Sequence, residues 1–86
     1  MTSKPINVII YTTKVCNACM LTKRLFRRAG IPYEERALAA HGDVAERFIA
    51  KGATQAPIVQ VMRGNHVEDE WAGFQPAKIK RWCGNG

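Results

Sequence analysis

Acidic residues are missing from the first 33 positions of this chain, although Lys4, Lys14, Lys23, Arg24, Arg27 and Arg28 lie there. Positions 34–86 hold seven basic and seven acidic residues and cancel, so the whole formal charge of +6 belongs to the first third. Such an asymmetry suits a docking surface for an acidic partner or a nucleic-acid patch. Long apolar runs are also missing. The longest aliphatic run near the start is Val8-Ile9-Ile10. A bilayer span needs ~20 apolar residues and a signal-peptide core roughly 7–15, so neither a membrane protein nor a conventionally secreted one is expected. Cysteine is scarce and odd in number, at three. A disulfide framework needs an even, dense set, and a reducing, cytoplasmic setting is expected instead. There are no repeats and no low-complexity segments.

What remains, at 86 residues and 47% hydrophobic, suits one domain with a small core. We expect it to span residues 5–83, with short tails at 1–4 and 84–86. Ile6 to Tyr11 is β-branched and bounded by Pro5 and Thr12-Thr13, the pattern of a buried strand. Ala18, Leu21 (with Thr22 beside it), Leu25 and Ala29 then recur at helical spacing, with Phe26 widening the apolar face. Gly30 suits the position just past the helix, and Pro32 forbids continuation. Lys23/Arg27 and Arg24/Arg28 are like-charge pairs four apart, which cost the helix a few tenths of a kcal/mol each. They read as a solvated face or as a docking face for an acidic partner, with Lys14 nearby.

Tyr33 to Leu38 reads as an edge strand, because it carries two acids and Arg36. A loop follows at Ala39–Gly42. Asp43-Val44-Ala45-Glu46 has the form of a capping box before a short helix with Val44, Ala45, Phe48 and Ile49 on its apolar face. Pro57 to Met62 is a third strand, Gly64-Asn65 a hairpin turn, and Val67 to Trp71 a fourth strand with Val67, Asp69 and Trp71 on one face. Pro76 suits the first position of a last helix, whose apolar face holds Ile79, Trp82 and Cys83. The order is β-α-β-α-β-β-α. Crossover handedness makes the first two strands parallel, and the hairpin makes the last two antiparallel.

Cys16-Asn17-Ala18-Cys19 lies where the first strand runs into a helix. A C-x-x-C beside a βαβ pattern points to thiol–disulfide chemistry. Cys16 falls at the helix N-terminus as the exposed sulfur, and Cys19 one turn in as the shielded one. Only a thiolate attacks, and a thiol of pKa ~8.5 is roughly 3% thiolate at pH 7. Lowering the pKa to about 7 raises that to roughly half, yet lower basicity trims the net gain as attacker to about three-fold. The larger benefit is a better leaving group when the mixed disulfide resolves. The shift needs about 2 kcal/mol. The helix dipole supplies part of it, and the free N–H groups at the helix start and Lys14 can supply the rest. In this scheme Cys16 attacks a partner disulfide and Cys19 resolves the mixed disulfide. No residue stands out as proton acceptor for Cys19.

A C-x-x-C is also half of a zinc site, which needs four ligands. Cys83, His41 and His66 are the only candidates to complete it, and none stands at a zinc spacing. No metal and no cofactor beyond the cysteine pair are expected. His41 and His66 read as loop residues and Cys83 as a packed small hydrophobe. A nucleic-acid platform would interleave aromatics with the basic residues, and these do not. In a fold of this order Pro57 opens the third strand opposite the cysteines. A cis Ala56–Pro57 bond is expected there, turning the Ala56 backbone toward the cysteines, where its N–H and C=O can pair with an extended peptide.

With these residues the chain resembles the thioredoxin superfamily, and within it the glutaredoxin-like NrdH redoxins, over about residues 6–83. The resemblance rests on Ile10-Tyr11-Thr12, Cys16-Asn17-Ala18-Cys19, Ala56-Pro57 and Trp71-Ala72-Gly73-Phe74-Gln75-Pro76. NrdH redoxins carry Trp-Ser-Gly-Phe-Arg-Pro at the last of these. Glutaredoxins carry a Gly-Gly-x-Asp-like segment there that holds the glutathione γ-glutamyl group. The resemblance implies an α/β, thioredoxin-like fold: a four-stranded mixed sheet in the order 2-1-3-4 with helices on both faces. It implies a dithiol donor of electrons to class Ib ribonucleotide reductase or another disulfide protein, regenerated by thioredoxin reductase; a monomer is the default expectation. A glutathione-dependent glutaredoxin is the alternative, and a zinc- or nucleic-acid-binding module a further one. The resemblance makes Cys16 the nucleophile, Cys19 the resolving thiol, Pro57 the cis-proline, and Trp71, Ala72, Gly73, Phe74 and Gln75 the partner loop. Lys14, Asn17, Ala18 and Ala56 complete the expected contact surface. The chain departs from the pattern at Thr13, where a basic residue is usual, and at Gln75 and Ala77, where Arg and Asp are usual.

Overall fold

A computed structural model describes residues 5–53 and 55–83. The expected tails at 1–4 and 84–86 lie outside the described residues, as does Thr54. The elements are β1 (Ile6–Thr12), α1 (Asn17–Arg28), β2 (Tyr33–Ala37), α2 (Gly42–Ala50), β3 (Ile58–Arg63), β4 (His66–Ala72) and α3 (Pro76–Cys83). A single 3₁₀ turn, Leu38–Ala40, leads into α2. The sheet order is β2-β1-β3-β4. β1 pairs parallel with β2 and antiparallel with β3, and β3 pairs antiparallel with β4. This is the thioredoxin-like arrangement that the resemblance implies. No helix among the described residues is long and apolar enough to cross a membrane.

Strand alternation splits the core in two. Val8, Ile10, Val59, Val61 and Trp71 face one way and pack with Phe26 of α1 and Ile79 of α3. Ile9, Tyr11 and Ile58 face the other way and pack with Phe48 of α2. A central strand buried on both faces reads as a continuous apolar run, which explains Val8-Ile9-Ile10. β2 lies at the edge, as its charges suggest.

Three local expectations are corrected. The buried face of α1 is Cys19, Thr22 and Phe26. Leu21 is 41% exposed, so the apolar stripe is turned from the spacing 18-21-25-29 toward the cysteine. Thr22 fits there because its hydroxyl donates to the Ala18 carbonyl at 2.8 Å, so no polar group is left unpaired. Second, the Asp43-x-x-Glu46 box does not form. α2 starts two residues earlier than the box requires, at Gly42, with His41 as its N-cap and no side-chain cap. Asp43 instead lies in the first turn, where a carboxylate complements the helix dipole. Ile49, expected on the apolar face, is 66% exposed. Third, a bulge breaks β4. Val61 lies opposite Asp69 while Met62 lies opposite Val67. The extra residue, Glu68, turns Val67 off the face it would share with Asp69 and Trp71.

Polar ties fasten both layers to the sheet. Asp69 accepts from Lys78 Nζ at 2.8 Å and from Trp82 Nε1 at 2.9 Å, fixing α3 against β4. Burial works against its charge, but these donors hold the Asp69 carboxyl below the usual range. On the opposite face Glu70 accepts from Arg47 at 2.9 Å, Lys51 at 3.1 Å and Gln60 at 3.1 Å. The Arg47 guanidinium, with Gln60 and Lys51, outweighs burial and lowers the Glu70 pKa to about 2.

A carboxylate depressed in the folded state contributes stability above its unfolded pKa, and that stability is lost as pH falls through the folded value. Stability is therefore expected to drop between about pH 4.5 and about pH 2 as Glu70 protonates and α2 loosens. The full shift corresponds to at most ~3 kcal/mol, reduced by solvent on the partly exposed group. Urea unfolding across this range should show the decline, and Glu70→Gln should flatten it.

Candidate active site

α1 begins immediately after Cys16, which is its N-cap residue in extended backbone, φ −151° and ψ 103°. The Cys19 N–H donates to the Cys16 sulfur at 3.0 Å. One of the four N–H groups a helix leaves unpaired at its start is thus turned on this sulfur. No acid occurs in the first turn of α1, so no carboxylate of the helix itself opposes negative charge at its start. Cys16 and Cys19 are joined as a disulfide with Cα atoms 5.2 Å apart. Cys16 is partly exposed, whereas Cys19 is 3% exposed. The exposed and shielded positions are those expected from the spacing.

The second wall of the site comes from the turn before β3. The Ala56–Pro57 bond is cis, as expected, and Pro57 is buried. The Cys16 sulfur lies 3.9 Å from the Ala56 carbonyl oxygen. Gly73 locks this turn to the loop after β4, its N–H donating to the Pro57 carbonyl at 2.8 Å. It holds φ +83°, and a Cβ there would meet Gln55 Oε1 at 3.0 Å. The positive φ favours glycine here, whereas the exposed end of Gln55 could move aside for a Cβ.

The remaining expected residues divide. Lys14 and Asn17 line a cleft of about 220 Å³ with the two cysteines. Ala18 lies in the first turn and accepts from Thr22. Ala72 pairs with Ile58, and its carbonyl accepts from the exposed Gln75 amide at 2.9 Å. Trp71 does not reach the surface. It is 4% exposed within the core, and Phe74 packs against the same cluster. Trp71 shapes the loop from beneath, with its indole Nε1 buried and unpartnered among the described residues.

Three site features escaped sequence reasoning. Glu35, read as an edge-strand acid, lines the cysteine cleft with Thr12 and Lys23. It accepts from Thr12 Oγ1 at 2.9 Å and Lys23 Nζ at 3.1 Å, and Thr12 first, then Lys23, hold its carboxyl below the usual range. The parallel register that sets Thr12 beside Ala37 was the signal for this contact. Val15 and Met20 form the second feature. They flank the cleft at 97% and 57% exposure, unusual for apolar side chains. The third is an apolar recess of about 440 Å³ beside Ala56, walled by Leu38, Phe48, Ile49 and Ala53.

The zinc candidates are dispersed. The His41 Nδ1–H donates to the Ala37 carbonyl at 3.0 Å, and its ring meets Tyr11 edge-on at 5.2 Å. His66 opens β4 and Cys83 ends α3. No three His, Cys, Asp or Glu side chains among the described residues gather as ligands would.

The glutaredoxin family model matches residues 8–67. Among solved structures, the glutaredoxin-like protein NrdH-redoxin from Escherichia coli is similar at TM-score 0.70 and 31% identity, over 87% of this chain and 92% of that one. A thioredoxin from Plasmodium falciparum aligns at TM-score 0.62 and 12% identity, over 93% of this chain and 80% of that one, a likeness of fold. No curated protein sequence matches the chain.

Proposed function

The chain belongs to the glutaredoxin family and is a thiol-disulfide oxidoreductase, and we propose that within that family it is a protein disulfide reductase of the NrdH type. In this reading the Cys16–Cys19 pair is the only redox group and the protein acts as a cytoplasmic monomer. Thioredoxin reductase restores its dithiol, and class Ib ribonucleotide reductase is its acceptor.

The loop after β4 carries this reading. Gly73 spends its N–H on Pro57, and Gln75 turns its amide back onto Ala72. The segment Trp71-Ala72-Gly73-Phe74-Gln75-Pro76-Ala77 offers no carboxylate to anchor a glutathione amine. The similar Escherichia coli redoxin, described as having a thioredoxin-like activity profile, favours the same choice.

The chemistry transfers two electrons. The Cys16 thiolate attacks one sulfur of the partner disulfide, and the other sulfur leaves as a thiolate and takes a proton. Cys19 gives its proton to solvent or to a group in the cleft and attacks the Cys16 sulfur. The second partner thiolate leaves and is protonated. The partner ends as a dithiol and this protein as a disulfide, with no outside atom consumed. The Ala56 backbone, beside the Cys16 sulfur, is placed to pair with an extended partner segment. The exposed Val15 and Met20 and the apolar recess beside Ala56 are placed to meet its side chains.

Insulin reduction with NADPH is the test. Turnover is expected with thioredoxin reductase alone, at least about ten-fold faster than with glutathione and glutathione reductase, a difference of ~1.4 kcal/mol in the barrier. Turnover with the glutathione system only would instead establish a glutathione-dependent glutaredoxin.

A further inference from the structure

The unbalanced charge of the first third has an address in the fold. Lys23 is paired with Glu35, and Arg27 donates to the Tyr33 hydroxyl at 2.9 Å. These two cations, expected as docking residues, are therefore engaged locally. Arg24 and Arg28 on α1, and Lys80 on α3, have no partner among the described residues. Arg28 and Lys80 lie on the two sides of one groove.

That groove runs between α1 and α3 and measures about 630 Å³. Its lining is apolar apart from those two cations: Leu25, Ala29, Pro76, Ala77, Ile79 and Cys83. It is separate from the cysteine cleft and shares no residue with it. Leu25 lies nine residues beyond Cys16 in sequence, roughly 13 Å along the helix at 1.5 Å per residue.

The chemistry of the groove selects its occupant. An apolar floor takes aliphatic side chains, and a cationic rim takes carboxylates. Single-stranded nucleic acid would want aromatic platforms, and no aromatic side chain lines the groove. A lipid surface would want its apolar residues proud of the helices, whereas Ile79 here is 1% exposed. We propose that the α1–α3 groove docks an acidic amphipathic segment of a protein partner. The segment's apolar side chains seat over Leu25, Ala29 and Ala77, and its carboxylates over Arg28 and Lys80. Docking here leaves Cys16 open, so a partner held at this groove can present its disulfide without competing for the same surface. The inference stands on the groove alone and not on which reductant serves the dithiol.

The test uses the oxidised protein, in which Cys83 is the free thiol. The probe is a fluorescein-labelled peptide of Glu and Leu, about 16 residues long, with Leu at helical i, i+3, i+4 spacing. Anisotropy should show binding that weakens at least about ten-fold for R28E/K80E and for a scrambled peptide of equal charge. The peptide should also slow alkylation of Cys83 by N-ethylmaleimide several-fold, because that thiol sits in the groove wall. Insulin reduction with dithiothreitol as reductant should be unchanged in R28E/K80E, which checks that the variant is folded. Equal binding of the scrambled peptide, an unaffected double variant or an unprotected Cys83 each overturns the proposal. Tighter binding of oligothymidine or of phosphatidylserine vesicles overturns it in favour of nucleic acid or membrane.

Discussion

Cys16→Ser is expected to lose insulin reduction by at least about 10³-fold, because a serine hydroxyl cannot replace a thiolate as nucleophile at neutral pH. Cys19, at 3% exposure, is too shielded to take over. Cys83 lies at the end of α3, among groove residues that include no cysteine-cleft member, and burial pushes its thiol up, away from thiolate character. Cys19→Ser has a different expected outcome. Cys16 still attacks, but no second sulfur resolves the product, so a one-to-one mixed disulfide with the partner accumulates. Intact-mass spectrometry under non-reducing conditions should find it, and dithiothreitol should release it. A Cys16→Ser protein with ordinary turnover would falsify the assignment of the nucleophile. Release of reduced partner from Cys19→Ser without added thiol would remove the resolving role of Cys19.

Phe26→Ala is expected to have the largest effect on stability. Phe26 heads the fully buried side chains and is the main anchor of α1 on the sheet. Truncating a buried phenylalanine costs ~3–5 kcal/mol, from lost burial and the cavity left behind. A domain of this size has on the order of 4–13 kcal/mol in total, so the change consumes a large share. A helix of α1's length is marginal on its own, and this one opens at the active cysteine. The expected readout is a fall in melting temperature of about 12–40 °C, with the urea midpoint lowered and the slope unchanged. A loss under ~1 kcal/mol would mean that the site relaxes to fill the space and that α1 is held elsewhere.

Local signals carried much of the fold. Gly30 is an example. It holds φ +75° just past α1, where its N–H donates to Arg27 and the following Ile31 N–H to Phe26, both at 3.0 Å. That is the Schellman closure expected of a glycine beyond a helix end. The Gly64-Asn65 turn between β3 and β4 was legible for the same reason: few residues tolerate that backbone. The α1 face and the β4 bulge were less legible. Helical spacing allows more than one apolar stripe, and packing against Ile10 and Ile79 chose the one through Cys19, Thr22 and Phe26. A bulge leaves no trace in a short strand until pairing shows which residue is extra.

The candidate site divides in the same way. Residues close in sequence settled the cysteine pair: a strand, a C-x-x-C and a helix start place one sulfur at the N-cap and the other a turn inside. The Ala56–Pro57 turn was legible only with the fold order, because proline alone favours trans. Only the tertiary structure decided which charges are engaged and which remain free. Glu35 reaches Thr12 and Lys23 through the parallel register, leaving Arg28 and Lys80 as the unpaired cations of a groove between two helices 48 residues apart at their ends. The physical reason is range. Backbone conformation and helix capping are set within a few residues, whereas ion pairing and cavity shape depend on which distant side chains the packed sheet and helices bring within a few ångströms.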